Sequence, residues 1–237
     1  MASATNVGRF SAADHENDGK HHILLAASGS VATIKIPNIA QALTRHANVS
    51  IRIVLTHSAE EFLKGQSAEQ PLLKSLHNLP NVDGIYLDED EWSKPWVRGD
   101  KILHIELRRW AHVMLVAPLS ANTMAKVVTG ISDGLLLSVI RAWDTTGLID
   151  GRKKRIFVAP AMNTAMWRHP ITRKQIKVLE QDWGSGEDGW VTVLRPMEKE
   201  LACGDVGDGA MMDWKQIVGR LEAHLELVVQ EDGVNER

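Results

Sequence analysis

The feature that most constrains this fold is an alternation: short runs of apolar and β-branched residues, each breaking into a small-residue turn and then into helical apolar spacing. His22–Ala27 ends at Ser28-Gly29-Ser30 and gives way to the helical pattern of Val31–His46. Val49–Thr56 is β-branched and leads to a helix for which Ser58 is a favourable N-cap. Val82–Leu87 reads as a third strand, followed by an acidic, Trp-containing loop over 88–100. His112–Ala117 and Arg155–Ala159 each run into proline, polar residues and a helical pattern, and Val191–Leu194 reads as a sixth strand. Strands separated by helices imply right-handed βαβ crossovers. The expected fold class is therefore α/β: a single-domain, Rossmann-like (flavodoxin-like), mostly parallel sheet with helices on both faces. Residues 1–20 are small and polar without a sustained apolar period and are expected to form a disordered leader; 21–230 form the domain and 231–237 a flexible tail.

Composition narrows the function. A chain of 237 residues with 44% apolar content has ample material for a core. A formal charge of -3 offers no global attraction to nucleic acid or an anionic membrane. The basic cluster Arg152-Lys153-Lys154-Arg155 reads as a solvated turn. No apolar run reaches the ~18 residues of a membrane helix. A single cysteine cannot form an intrachain disulfide, so a reducing compartment, the cytoplasm, is the expected location.

In parallel sheets, ligands bind outside the carboxyl ends of the strands, where helix N-termini attract anions. Ser28-Gly29-Ser30, Thr56-His57-Ser58, the run from Pro118 to Thr123 and Pro160-Ala161-Met162-Asn163 all occupy such positions. Gly29 permits close approach of a phosphate or a flavin edge, but the turn matches neither the dinucleotide fingerprint nor the P-loop. Ser58 either adds a hydroxyl for phosphate or caps its helix. Asn163 either caps a helix or faces a ligand, and Met162 and Met166 share a helical spacing compatible with a core. His104, in Leu103–Ala111, is either an ordinary helix-terminal histidine or a proton carrier near neutral pH.

Metal chemistry finds no support. His104-Ile105-Glu106 mimics half of a zinc deaminase signature whose cysteine pair cannot exist here, and His21 and His22 point to opposite faces of a strand. Cys203 lies in Leu201–Ala210, an acidic, glycine-punctuated stretch read as a flexible loop, a setting for chemistry rather than packing.

Leu24–Ala32 (LLAASGSVA), His104–Ala111 (HIELRRWA), Ala117–Thr123 (APLSANT), Arg141–Asp144 (RAWD), Pro160–Trp167 (PAMNTAMW) and Leu201–Asp205 (LACGD) occur in a fixed order across residues 22–215. Together they resemble the homo-oligomeric flavin-containing cysteine decarboxylases, in the plant halotolerance-protein branch of the phosphopantothenoylcysteine decarboxylases. That resemblance implies FMN as cofactor and decarboxylation of phospho-N-pantothenoylcysteine to phosphopantetheine in coenzyme A biosynthesis. The implied route oxidises the substrate thiol to a thioaldehyde, releases carbon dioxide and reduces the resulting enethiolate. It assigns His104 as base and Cys203 as the acid that protonates the enethiolate, with Asn163 and Arg109 on the substrate. Gly29, Ser30, Val31, Ser58, Ser120, Ala121, Asn122, Thr123 and Met162 fall where FMN contacts are expected. The resemblance further implies a homotrimer with FMN sites between subunits. The less hydroxyl-rich turn at Thr56–Ala59 and the lengthened loops at 146–155 and 184–189 depart from the pattern. A flavin-binding regulatory subunit that inhibits a protein phosphatase is the alternative from the same family, and the short acidic stretch Glu231-Asp232 speaks against it. A ligase domain fused to the decarboxylase does not fit in this length.

Overall fold

The computed structural model describes residues 10–200 and 206–227. Its centre is a six-stranded sheet built from β1 (His21–Ala27), β2 (Val49–Leu55), β3 (Val82–Tyr86), β4 (Val113–Leu119), β5 (Arg155–Pro160) and β6 (Val191–Val193), in the order β3-β2-β1-β4-β5-β6. All five ladders are parallel; Leu25 pairs with Ile53 on one side and Leu115 on the other. With β3 outside β2 and the order reversing between β1 and β4, the expected doubly wound sheet takes the Rossmann strand order.

Strand side chains divide with the period of two that a sheet covered on both faces requires. Ile23, Leu25 and Ala27 enter one core; Leu24 and Ala26 enter the other. The first core is closed by α1 (Ile36–Leu43) and the C-terminal helix of residues Trp214–His224. The second is closed chiefly by the helices Leu103–Trp110, Leu135–Arg141 and Pro170–Lys177. In chain order the remaining helices are α2 (His57–Glu60), α3 (Leu73–Leu76), α5 (Ala121–Thr129) and α7 (Thr164–Arg168), which makes those already given α4, α6, α8 and α9.

The structure changes four of the sequence readings. Of the expected leader, residues 1–9 lie outside the described residues, but residues 10–20 pack on the domain. Phe10 is buried, its ring 3.8 Å beneath the Arg52 guanidinium, and the Ala12 N–H donates to Glu106 Oε2 at 2.8 Å. One aromatic residue thus anchors a polar segment by covering a buried cation. Second, the basic cluster is not simply a solvated turn. Lys154 is fully buried; its Nζ donates to Arg108 O at 2.5 Å and to Asp150 Oδ2 at 2.7 Å, while Arg108 pairs with Asp150 Oδ1 at 3.2 Å. Buried charge is tolerated because every cation meets the shared carboxylate.

Third, Thr56 rather than Ser58 caps α2, its hydroxyl accepting from the Ala59 N–H at 3.2 Å. Fourth, the end of the glycine-punctuated stretch is strand: β8 (Val206–Ala210) pairs antiparallel with β7 (Met197–Glu200). Cys203 and the expected tail, 231–237, lie outside the described residues.

The lengthened 146–155 loop is organised by Asp144. Its Oδ1 accepts from Thr146 N, Thr146 Oγ1 and Gly147 N, and its Oδ2 from Ile149 N and Asp150 N. Burial alone would push this carboxyl up; the donors outweigh burial and hold it well below the ordinary carboxylate range. No helix among the described residues is long and apolar enough to cross a membrane.

Candidate functional site

Because every main-sheet strand runs the same way, the loops after β1, β2, β3 and β4 emerge on one edge, together with the N-termini of α2, α4, α5 and α6. A cleft of about 170 Å³ opens there, between the β1 and β2 turns and the starts of α5 and α6. Its lining joins Gly29, Ser58, Ser120, Asn122 and Thr123 from three of the four loops singled out in the sequence; the fourth, Pro160–Asn163, does not line it.

Local chemistry holds that wall in shape. The buried Ser28 hydroxyl donates to Pro118 O at 3.1 Å and accepts from the Ser120 N–H at 2.8 Å, tying the first turn to the fourth. Ser28 is thus spent on the scaffold. A Cβ on Gly29 would stand 2.5 Å from the Ser58 Cβ, so only glycine lets the first two turns approach this closely. Ser120 caps α5, its Oγ accepting from the Thr123 N–H at 3.2 Å. Ser30, Val31 and Ala121 are sequence neighbours of lining residues, with Val31 46% exposed where it leaves the first turn.

The cleft also contains residues that the sequence reading did not single out. Asp88 bridges two helix starts, Oδ2 accepting from His57 N at 3.0 Å and Oδ1 from Leu135 N at 2.9 Å. Leu136 and Leu137 supply an apolar surface, and Lys126 pairs with Asp133 at 2.6 Å on the rim. The signal for Asp88 was present in the sequence, as an acidic run that begins at the expected end of β3.

His104 occupies the first turn of α4, on the same sheet edge. Its Nδ1 lies 2.9 Å from Glu91 Oε1, in the loop between β3 and α4. Arg109 stands near the other end of α4, exposed, its Nη1 donating to Glu106 Oε1 at 3.3 Å. Five residues of helix put it roughly 7.5 Å along the axis and about 140° around from His104, so α4 does not bring the two together within this chain. Asn163 caps α7, its Oδ1 accepting from Met166 N at 2.9 Å, and its side chain is exposed. Met162 is buried in the second core, while its N–H donates to Gly209 O at 3.0 Å and so seats the β7–β8 hairpin against Pro160–Asn163. A Cβ on Gly209 would overlap the Met162 carbonyl oxygen. The hairpin whose strands flank Cys203 is therefore packed on the loop carrying Asn163. No cluster of His, Cys, Asp and Glu able to hold a metal occurs among the described residues.

Trp143 and Asp144 of the RAWD motif take scaffold roles. Trp143 Nε1 donates to Lys154 O at 3.1 Å, and Asp144 organises its own loop.

The chain is similar to known proteins over most of its length. The chain is 46% identical over 194 residues to a protein of Arabidopsis thaliana named phosphopantothenoylcysteine decarboxylase, covering 82% of this chain and 80% of the relative. It is 41% identical over 211 residues to phosphopantothenoylcysteine decarboxylase HAL3 of Malus domestica, covering 89% and 86%. It also matches a Schizosaccharomyces pombe protein named probable thymidylate synthase at 43% identity, but spans only 30% of that relative's length. Among solved structures, a PPC decarboxylase mutant complexed with pantothenoylaminoethenethiol superposes with a TM-score of 0.71 at 43% identity, covering 87% of this chain and 99% of the other. The FMN binding protein AtHal3 superposes with a TM-score of 0.69 at 42% identity, covering 89% and 100%. The Flavoprotein family model matches residues 11–226, nearly all of the described chain, and the chain belongs to that family.

Proposed function

We propose that this chain is an FMN-dependent phosphopantothenoylcysteine decarboxylase of coenzyme A biosynthesis. The observation that carries the reading is the carboxyl-edge cleft in which Gly29, Ser58, Ser120, Asn122 and Thr123 converge. Its make-up fits FMN: a turn that tolerates no Cβ, hydroxyls and an amide for a phosphate and sugar chain, the α5 N-terminus, and leucines for a ring face. When bound, FMN accepts the electron pair of thiol oxidation and returns it after carbon dioxide has left, so the net redox change is zero.

The chain's own groups supply the remaining steps. His104 takes the substrate proton at Nε2, since Nδ1 faces Glu91. Asn163 keeps its amide nitrogen for the substrate while its oxygen caps α7. Ser30, Val31, Ala121 and Met162 complete the cofactor surround. Cys203 protonates the enethiolate; the enethiol bound by the related PPC decarboxylase mutant is the species this route places just before reduction. Arg109, remote within one protomer, reaches a neighbour's substrate in a homotrimer with cofactor sites between subunits. A reducing compartment such as the cytoplasm suits a chain with a single cysteine.

The test is direct. The purified protein should be yellow and convert phosphopantothenoylcysteine to phosphopantetheine with release of carbon dioxide, followed by mass spectrometry. A colourless preparation that takes up no FMN, or a flavoprotein that releases no carbon dioxide, would overturn the reading. Cys203→Ser should still release carbon dioxide while the oxidised enethiol accumulates.

A further inference from the structure

We propose that Glu91 is a positioning residue for His104, holding the imidazole in the tautomer that presents an unprotonated Nε2; this rests on the assignment of His104 as the base. Three observations converge on Glu91. Its side chain is 4% exposed, against 22% for His104. Its Oε1 lies 2.9 Å from His104 Nδ1. Its Oε2 is buried and meets no hydrogen-bond donor among the described residues.

A carboxylate has no proton to give, so the short contact requires the proton on Nδ1. The Nε2 lone pair is then left facing away from Glu91, available to take a proton. Burying a carboxylate that is satisfied on one oxygen alone costs free energy that an apolar residue would not incur. Helix capping does not account for it: the His104 N–H is 3.5 Å from the same Oε1, at the outer limit of a hydrogen bond, whereas the imidazole contact is well formed. Glu91 is also fixed from behind. Three residues upstream, Asp88 is tied to the starts of α2 and α6, and the neighbouring Asp90 accepts from the Leu87 N–H at 2.8 Å. The arrangement follows the logic of a carboxylate that orients a catalytic histidine without itself exchanging a proton.

The experiment combines activity with a direct view of the ring. In FMN-loaded protein, Glu91→Leu should lower kcat about ten- to hundredfold with little change in KM, as for other partners that orient a functional histidine. Glu91→Gln, which retains an acceptor oxygen, should fall between Leu and wild type. Two-bond nitrogen–proton NMR correlations of histidine-labelled protein, with His104 assigned by loss of its signals in His104→Asn, should show the Nδ1–H form in the wild type. The same spectra should show a shift toward the Nε2–H form in Glu91→Leu. In a His104→Asn background, Glu91→Leu should change the residual rate less than about twofold.

Wild-type kcat with an unchanged tautomer in Glu91→Leu would overturn the proposal. So would an equal fractional loss in both backgrounds, which would make Glu91 a purely structural residue. Full turnover by His104→Asn would instead remove the base assignment, and the tautomer in Glu91→Leu would still decide whether Glu91 orients the ring. Should Glu91→Leu fail to fold, Glu91→Gln carries the same kcat and NMR comparisons.

Discussion

Single atoms decide how the cleft is shaped. The missing Cβ of Gly29 is the condition for the β1 and β2 turns to meet, because any side chain would collide with Ser58. Gly29→Ala should therefore lose FMN on gel filtration and cost about 1–3 kcal/mol of stability by denaturant titration, the usual price of overpacking. Unchanged flavin content would show that the turns part without consequence. His112 belongs to a different calculation. Burial first, then the nearby Arg152 cation and the His22 and His21 rings, push its imidazole down to about 3. It is neutral in the folded protein while the unfolded chain protonates near 6.5, so stability is lost as pH falls from about 6.5 toward 3. His112→Gln should remove about 1–2 kcal/mol of the loss seen between pH 7 and pH 5 in chemical denaturation; identical profiles would refute this.

At the level of elements, caps and crossovers have different origins. Ser120 before α5 and the βα alternation are written locally, because a hydroxyl at a strand-to-helix junction has one nearby N–H to satisfy. The same local logic named Ser58 for α2, whereas the chain used Thr56, two residues earlier and equally able to cap. The β7–β8 hairpin was not legible, since its glycines, read as loop signals, are required by close packing on Met162 and Thr164. Asp144 shows how one side chain can order a loop. As a carboxyl held low, it contributes stability that is present at neutral pH and lost as pH falls through the carboxylate range. Asp144→Asn should cost about 2–3 kcal/mol at pH 7, with the gap to wild type narrowing below about pH 4. A gap independent of pH would mean that packing rather than charge carries the effect.

Across the whole molecule, the N-terminal segment closes the second core. Phe10 covers Arg52 and meets the Trp110 ring edge-on at 6.3 Å. Phe10→Ala should destabilise the domain by about 3 kcal/mol, read from the denaturation midpoint at constant slope. A change within error would mean that this segment contributes nothing to the core.

The sequence by itself determined the fold class, because alternation between the two periodicities can bury both faces of a sheet in only one layered arrangement. It also placed the motif-bearing loops on one edge, since parallel strands leave no other place for them. Tertiary structure alone decided which hydroxyls stay free for a ligand, which charges are buried, and that Glu91 faces His104. Those outcomes depend on distances between residues remote in the chain, and hydrophobic periodicity carries no information about them.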